Sequence, residues 1–149
     1  MNDESLGRWI SSIYRYGNSF MEKDLAELEI GSGHQPFLLA IYVTDGMSQD
    51  ELSNVLNIDK ATTTRAIKGL VELGYVVRKR DSGDKRIYRL SLTPEGKEII
   101  PMLKKTRTLW TKVLTTGLAE NERDFALDLL KRMAENAKVF KENGFRQKS

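Results

Sequence analysis

The chain has no cysteine, which at once removes disulfides, thiol catalysis, cysteine-based redox sensing and every thiolate metal site. It has a single histidine, so a histidine-rich metal centre is ruled out as well, and neither a metal nor a cofactor is expected. Long apolar runs are missing too. The longest uninterrupted one, residues 36–43, is far too short to cross a bilayer, and no membrane partner is expected. Asp3 and Glu4 stand where a cleaved signal would carry positive charge, which points to the cytoplasm. No internal repeat, low-complexity tract or flexible linker is visible. What is there, 149 residues with 40% hydrophobic and 30% charged side chains, suits one globular domain with helical extensions.

The net charge of +3 says little until it is mapped. Residues 60–92 hold nine basic side chains against three acidic ones, and the remainder is acid-leaning, with 15 basic and 18 acidic. Such segregation is the footprint of a protein that meets nucleic acid or another anionic surface, although a solvated basic face would look the same.

Apolar residues recur every three or four positions over residues 4–29, at Leu6, Trp9, Ile10, Ile13, Tyr14, Phe20, Met21, Leu25 and Leu28, which predicts one long amphipathic helix. Its length would be about 39 Å, more than a domain of this size covers with its own core, so the stripe calls for a second chain. A shorter buried helix follows over residues 37–43. Ser48-Gln49-Asp50-Glu51 has the form of a capping box that starts another helix, and Asp59 can cap the next, which Gly74 ends. Two short helices joined by a tight turn suit a helix-turn-helix, and equally an ordinary helical hairpin.

The segment that follows favours the former. Tyr75, Val76 and Val77 are strand formers, residues 81–84 are a loop, and Ile87, Tyr88, Leu90 and Leu92 form a second strand-like run. The product is a charged β-hairpin whose tip is flanked by Arg78, Lys79 and Arg80 on one side and Lys85, Arg86 and Arg89 on the other. Thr93-Pro94 then starts a helix whose apolar stripe runs through Leu109, Trp110 and Val113. A last helix carries Leu129, Met133 and Phe140. The fold class expected is mainly α with a small β-hairpin wing: a winged helix-turn-helix over residues 35–93, flanked by helical dimerisation regions over residues 1–30 and 94–149.

On the helix after Asp59, about 100° per residue puts Thr63, Ile67, Leu70, Val71 and Gly74 on one side and Arg65, Lys68 and Glu72 on the other, with Thr62 and Thr64 at the margins. The outer face is free to enter a major groove, where threonine offers methyl or hydroxyl to base edges and arginine takes guanine bidentately. Lys60, at the helix start, suits a phosphate. Charges at this spacing also merely keep a helix face solvated. In the wing, Arg86 shares strand parity with Tyr88, Leu90 and Leu92, the core-facing set, but lies at the tip beyond the reach of that core. Asp84, two residues earlier, can hold its guanidinium by a charge-assisted bond. The DNA-contacting set is thus Lys60, Thr62, Thr64, Arg65, Lys68, Arg80, Asp84, Lys85 and Arg86. Asp81 and Asp84 are a carboxylate pair, yet they sit in a cationic loop with no nucleophile, so no catalytic residue is expected.

Certain words of sequence, in order, resemble the multiple-antibiotic-resistance regulator (MarR) family of winged-helix transcription factors. They are Ser48-Gln49-Asp50-Glu51-Leu52, Asp59-Lys60-Ala61-Thr62, Thr64-Arg65-Ala66-Ile67, residues 70–74, residues 80–86 and Leu92-Thr93-Pro94-Glu95-Gly96. Thr63 departs from a usual valine and Ala119 from a usual capping serine. The resemblance implies a homodimer whose first and last helices interleave, with Leu6, Trp9, Ile10, Ile13, Leu109, Trp110, Val113, Leu129, Met133 and Phe140 at the interface. It implies a pseudo-palindromic double-stranded operator, a repressor's role, and a small aromatic or anionic effector, for which Arg15 and His34 are candidate contacts. It also implies that Asp84 aims Arg86. Trp9, Tyr14, Tyr16, Phe37, Tyr42 and Trp110 could line an effector pocket, and are read mainly as core. The competing expectation is an architectural or protein-binding winged helix without operator preference.

Overall fold

A computed structural model describes residues 5–147. The chain divides into two compact units, one ending at Trp110 and one beginning at Thr111. The first opens with α1 (Leu6–Asp24), followed by a 3-10 turn at Ala26–Leu28. The helix is therefore shorter than the expected span, and its expected first residue, Glu4, lies outside the described residues. At 19 residues it runs about 28 Å. Leu25 leaves helical geometry to bury itself completely, and Glu29 turns the chain through the left-handed region at φ 57°. Apolar residues three apart fit a 3-10 turn as well as an α-helix, so the periodicity alone could not show the break.

Next come α2 (Gln35–Val43), α3 (Gln49–Leu56) and α4 (Lys60–Glu72). The capping box forms as read: Glu51 N–H donates to Ser48 Oγ at 3.2 Å and Ser48 N–H to Glu51 Oε2 at 3.0 Å. Asn57, left-handed at φ 53°, makes the turn between the two helices. Asp59 then caps α4, accepting from Thr62 N–H at 2.8 Å. Strands β1 (Val76–Arg80) and β2 (Tyr88–Leu92) pair antiparallel, Val76 opposite Leu92 and Arg80 opposite Tyr88. A bridge between Met47 and Leu90, with Leu90 N–H donating to Met47 O at 2.8 Å and Gly46 N–H to Leu90 O at 2.9 Å, roots the hairpin on the α2–α3 connection.

The core of this unit is built by Phe37, Leu38 and Ile41 of α2, Leu52 of α3, Ile67 and Leu70 of α4, Leu90 of β2, and Ile100 and Leu103 beyond the wing. Thr93 starts α5 (Pro94–Glu98) and also donates its hydroxyl to Gly74 O at 2.6 Å. A Cβ on Gly96 would stand 2.1 Å from Tyr75 O, so only glycine lets α5 approach the end of α4 this closely. The single helix expected after Thr93 is broken at Ile99, and α6 (Ile100–Leu114) resumes it. Pro101 supplies the cause, because it has no N–H to give the Lys97 carbonyl one turn back.

Expectations about aromatic residues need correction. Phe37 is buried, but Trp9, Tyr14, Tyr16 and Tyr42 are exposed, and Trp110 is half-buried against α1, stacked on Phe20 at 5.8 Å. Tyr88 does not join the core-facing set either. The second unit carries α7 (Glu120–Glu142), none of whose residues is buried. The Ala119 methyl cannot accept a bond, so only half of a capping box exists there: Ala119 N–H donates to Glu122 Oε2 at 2.8 Å.

Candidate nucleic-acid interface

The two faces of α4 are sharply unlike. Thr63, Ala66, Ile67 and Leu70 are buried, while Lys60, Thr64, Arg65 and Lys68 are exposed and Thr62 lies between. Thr63 fills the place of an aliphatic residue without leaving a polar orphan. Its hydroxyl donates to Asp59 O at 2.9 Å and accepts from Ser53 Oγ at 2.8 Å, tying α3 to α4 through a buried bond.

The exposed face is ordered by its own hydrogen bonds. Asp59 accepts from both the N–H and the hydroxyl of Thr62, the latter at 2.7 Å, and these bonds hold its carboxyl below the usual carboxylate range. Arg65 in turn donates to Thr62 Oγ1 at 3.2 Å. Gln49 of α3 donates to Thr64 Oγ1 at 3.3 Å, while the Thr64 hydroxyl donates to Lys60 O. Lys60 stands 3.5 Å from Asp50, with both side chains largely exposed. Such a pair contributes little, so a phosphate can replace Asp50 at small cost.

At the wing tip Asp81 accepts from the N–H groups of Gly83 and Asp84 at 3.0 and 2.9 Å, closing the loop. Those bonds, the Asp84 N–H first and then the Arg89 guanidinium, lower its carboxyl pKa. Asp84 grips Arg86 at both ends: Nε donates to Oδ1 at 3.0 Å and the terminal nitrogen to Oδ2 at 2.9 Å, with Arg86 N–H adding a third bond at 3.1 Å. The pair lowers the pKa of Asp84 and raises that of Arg86. Yet the Arg86 side chain is 90% exposed. Arg86 precedes β2 instead of extending it, so its fixed aim comes from Asp84 and not from strand parity. Arg80 lies over the Tyr88 ring at 5.4 Å and donates to its hydroxyl at 3.2 Å, and Lys85 is exposed.

Two roles escaped the sequence reading: Gln49 reaches the outer face of α4, and Arg89, read only as a cation flanking the wing tip, turns to carboxylates of the protein itself. The signal for Arg89 was its register. It faces Lys79 across the hairpin, and like charges so placed demand a nearby carboxylate.

Of the candidate effector contacts, Arg15 donates to Ser11 and Ser12 of its own helix at 2.6 and 3.4 Å, and His34 Nδ1 accepts from Gly31 N–H at 3.2 Å. A groove of about 410 Å³ beside α1 is lined by Phe20, Lys23, Asp24 and Glu27, and by neither candidate. Among the expected interface residues, Leu6, Trp9, Ile10, Ile13, Leu109, Val113 and Phe140 are exposed, and Trp110, Leu129 and Met133 are half-buried. No helix among the described residues is long and apolar enough to cross a membrane.

The model of the MarR family matches residues 36–87, from α2 into the wing loop. The HTH-type transcriptional regulator YybA of Bacillus subtilis (strain 168) is 30% identical over 136 residues, spanning 91% of this chain and 89% of that protein. A MarR transcriptional regulator from Methanosarcina mazei Go1 superposes with a TM-score of 0.83 at 41% identity, over 91% of this chain and 97% of that one. A MarR-family regulator from Listeria monocytogenes, solved with a 26mer DNA, superposes at 0.87 and 26% identity over 98% of this chain and 99% of that one. With the winged helix-turn-helix in place and these relatives spanning nearly all of it, the chain belongs to the MarR family of transcriptional regulators, which are not enzymes.

Proposed function

We propose that the chain is a cytoplasmic, sequence-specific regulator that binds double-stranded DNA as a homodimer and represses transcription. The observation that carries this reading is Arg86: a guanidinium held at two points by Asp84 and still almost wholly open to solvent. Holding it costs side-chain entropy, and the arrangement suits insertion into a narrow A·T minor groove, whose negative potential attracts arginine. The outer face of α4, with Thr62, Thr64, Arg65 and Lys68, supplies the major-groove contacts, and Lys60 a phosphate contact. Residues 35–93 form the DNA-binding region, and residues 1–30 and 94–149 the dimerisation region. That a relative was solved with DNA supports the same assignment. The family resemblance adds a small aromatic or anionic effector that releases the operator, with Arg15 and His34 as its contacts. Millimolar salicylate that shifts neither operator affinity nor melting temperature would remove that element.

The test of the main reading is Asp84→Ala. Selection from random DNA yields the operator, and the variant is titrated on it at two salt concentrations. Loss of the clamp weakens specific binding by about tenfold even though a negative charge is removed, and Arg86→Ala by about ten- to a hundredfold. Tighter binding by Asp84→Ala would mean a mobile cationic loop, and equal affinity for all sequences would mean an architectural protein.

A further inference from the structure

We propose that Arg89 is a positioning residue that locks the wing to the helix-turn-helix, so that the wing tip and α4 reach DNA at a fixed separation. The inference rests on the DNA-binding reading above and assigns a role to a side chain that needs no DNA contact of its own.

Arg89 projects from β2 and is only about one-third exposed. Its Nε donates to Asp81 Oδ1 at 3.2 Å, and a terminal nitrogen lies 3.5 Å from both Glu51 Oε2 and Gly46 O. These three acceptors come from three different places: the wing loop, the first turn of α3 and the connection before it. The Asp81 bond is the short one, and the other two are long contacts whose attraction is mainly electrostatic. Each carboxylate is already committed elsewhere. Glu51 Oε2 accepts from Ser48 N–H in the capping box, and Asp81 Oδ2 accepts from Gly83 and Asp84. A continuous series of bonds to charged groups therefore runs from the start of α3, through Arg89 and Asp81, to Asp84 and the guanidinium of Arg86.

The residue opposite Arg89 in the register is Lys79, a cation, and the backbone bridge at Met47 and Leu90 fixes only the hairpin root. A two-stranded ribbon bends easily about its root, and Arg89 adds the second attachment that prevents this.

A double-mutant cycle with Arg86→Ala tests the proposal, read on an operator with A·T flanks. If Arg89 acts through the wing, Arg89→Ala weakens binding about tenfold in the otherwise natural chain and leaves affinity unchanged in the Arg86→Ala background. Glu51→Gln, which keeps an acceptor for Ser48 N–H, acts in the same direction with a smaller effect and covers the case in which Arg89→Ala folds poorly. Hydrogen exchange without DNA supplies an independent readout, the amides of Asp81, Gly83 and Asp84 exchanging about fivefold faster in Arg89→Ala. A tenfold loss that persists in the Arg86→Ala background would overturn the proposal, as would unchanged exchange at the wing tip. Because exchange needs no operator, failure of this inference and failure of the regulator reading are told apart.

Discussion

His34 shows how one side chain records its surroundings. Its Nδ1 accepts from Gly31 N–H, so the neutral ring carries its proton on Nε2, the atom that stands 3.1 Å from where a Cβ on Gly69 would be. Protonating Nδ1 would break the first bond and place a charge in a half-buried site, and burial accordingly lowers the pKa from 6.5. Above 6.5 the folded and unfolded chains are both neutral there, and this residue gives no pH dependence. As pH falls below 6.5 the unfolded chain takes up a proton that the folded chain resists, and stability declines until the folded pKa is passed. Urea unfolding at about pH 7.5 and about pH 5.5 therefore shows a loss for the natural chain that His34→Asn lacks. The aspartates with lowered pKa values start from 3.8 and stabilise the fold above that value, so they titrate below this window.

Between α3 and α4 the telling contact is a pair of buried hydroxyls with unequal dependence on each other. Ser53 gives its proton to Thr63, while Thr63 gives its own to Asp59 O. Removing the acceptor strands the donor, and the reverse change strands nothing. Thr63→Val should therefore cost about 1–2 kcal/mol and Ser53→Ala about 0.5 kcal/mol, and the double variant should recover most of the loss, as measured by denaturant melts. Equal single costs that simply add would contradict this arrangement. Local signals made these helices legible: the capping box at Ser48, the Asp59 cap and the Thr93-Pro94 start each act within one turn of chain. The wing clamp was legible for the same reason, since Asp84 and Arg86 are two residues apart. What could not be read required distant partners. Arg89 meets Glu51 and Gly46 across most of the winged helix, and the end of α1 is set by where Leu25 finds the core. Pro101 is plain in the sequence, and its missing N–H is the local signal for the break between α5 and α6.

For the whole molecule, the pattern of exposed apolar residues is the strongest prompt for a partner chain. Leu6, Trp9, Ile10 and Ile13 of α1 are exposed at the spacing of a single helical stripe, and a stripe of this kind shows that a face is to be covered without showing by what. A second copy covering it predicts light scattering at about twice the 17.0 kDa chain mass, and Ile13→Glu should raise the dimer dissociation constant about a hundredfold by burying a charge. A chain that stays monomeric at micromolar concentration with full helicity would contradict it. A two-fold dimer would also prefer half-sites about 10 base pairs apart, centre to centre, over an isolated half-site.

The split between the two faces of α4 has an evolutionary consequence. Thr63, Ala66, Ile67 and Leu70 are bound into the core, whereas Thr64, Arg65 and Lys68 touch little that holds the domain together. Substitutions at those three outward positions are nearly neutral for folding. On the proposed reading of α4 as the helix that enters the major groove, one copy left by a gene duplication could drift toward a different promoter through changes there while inheriting the scaffold intact.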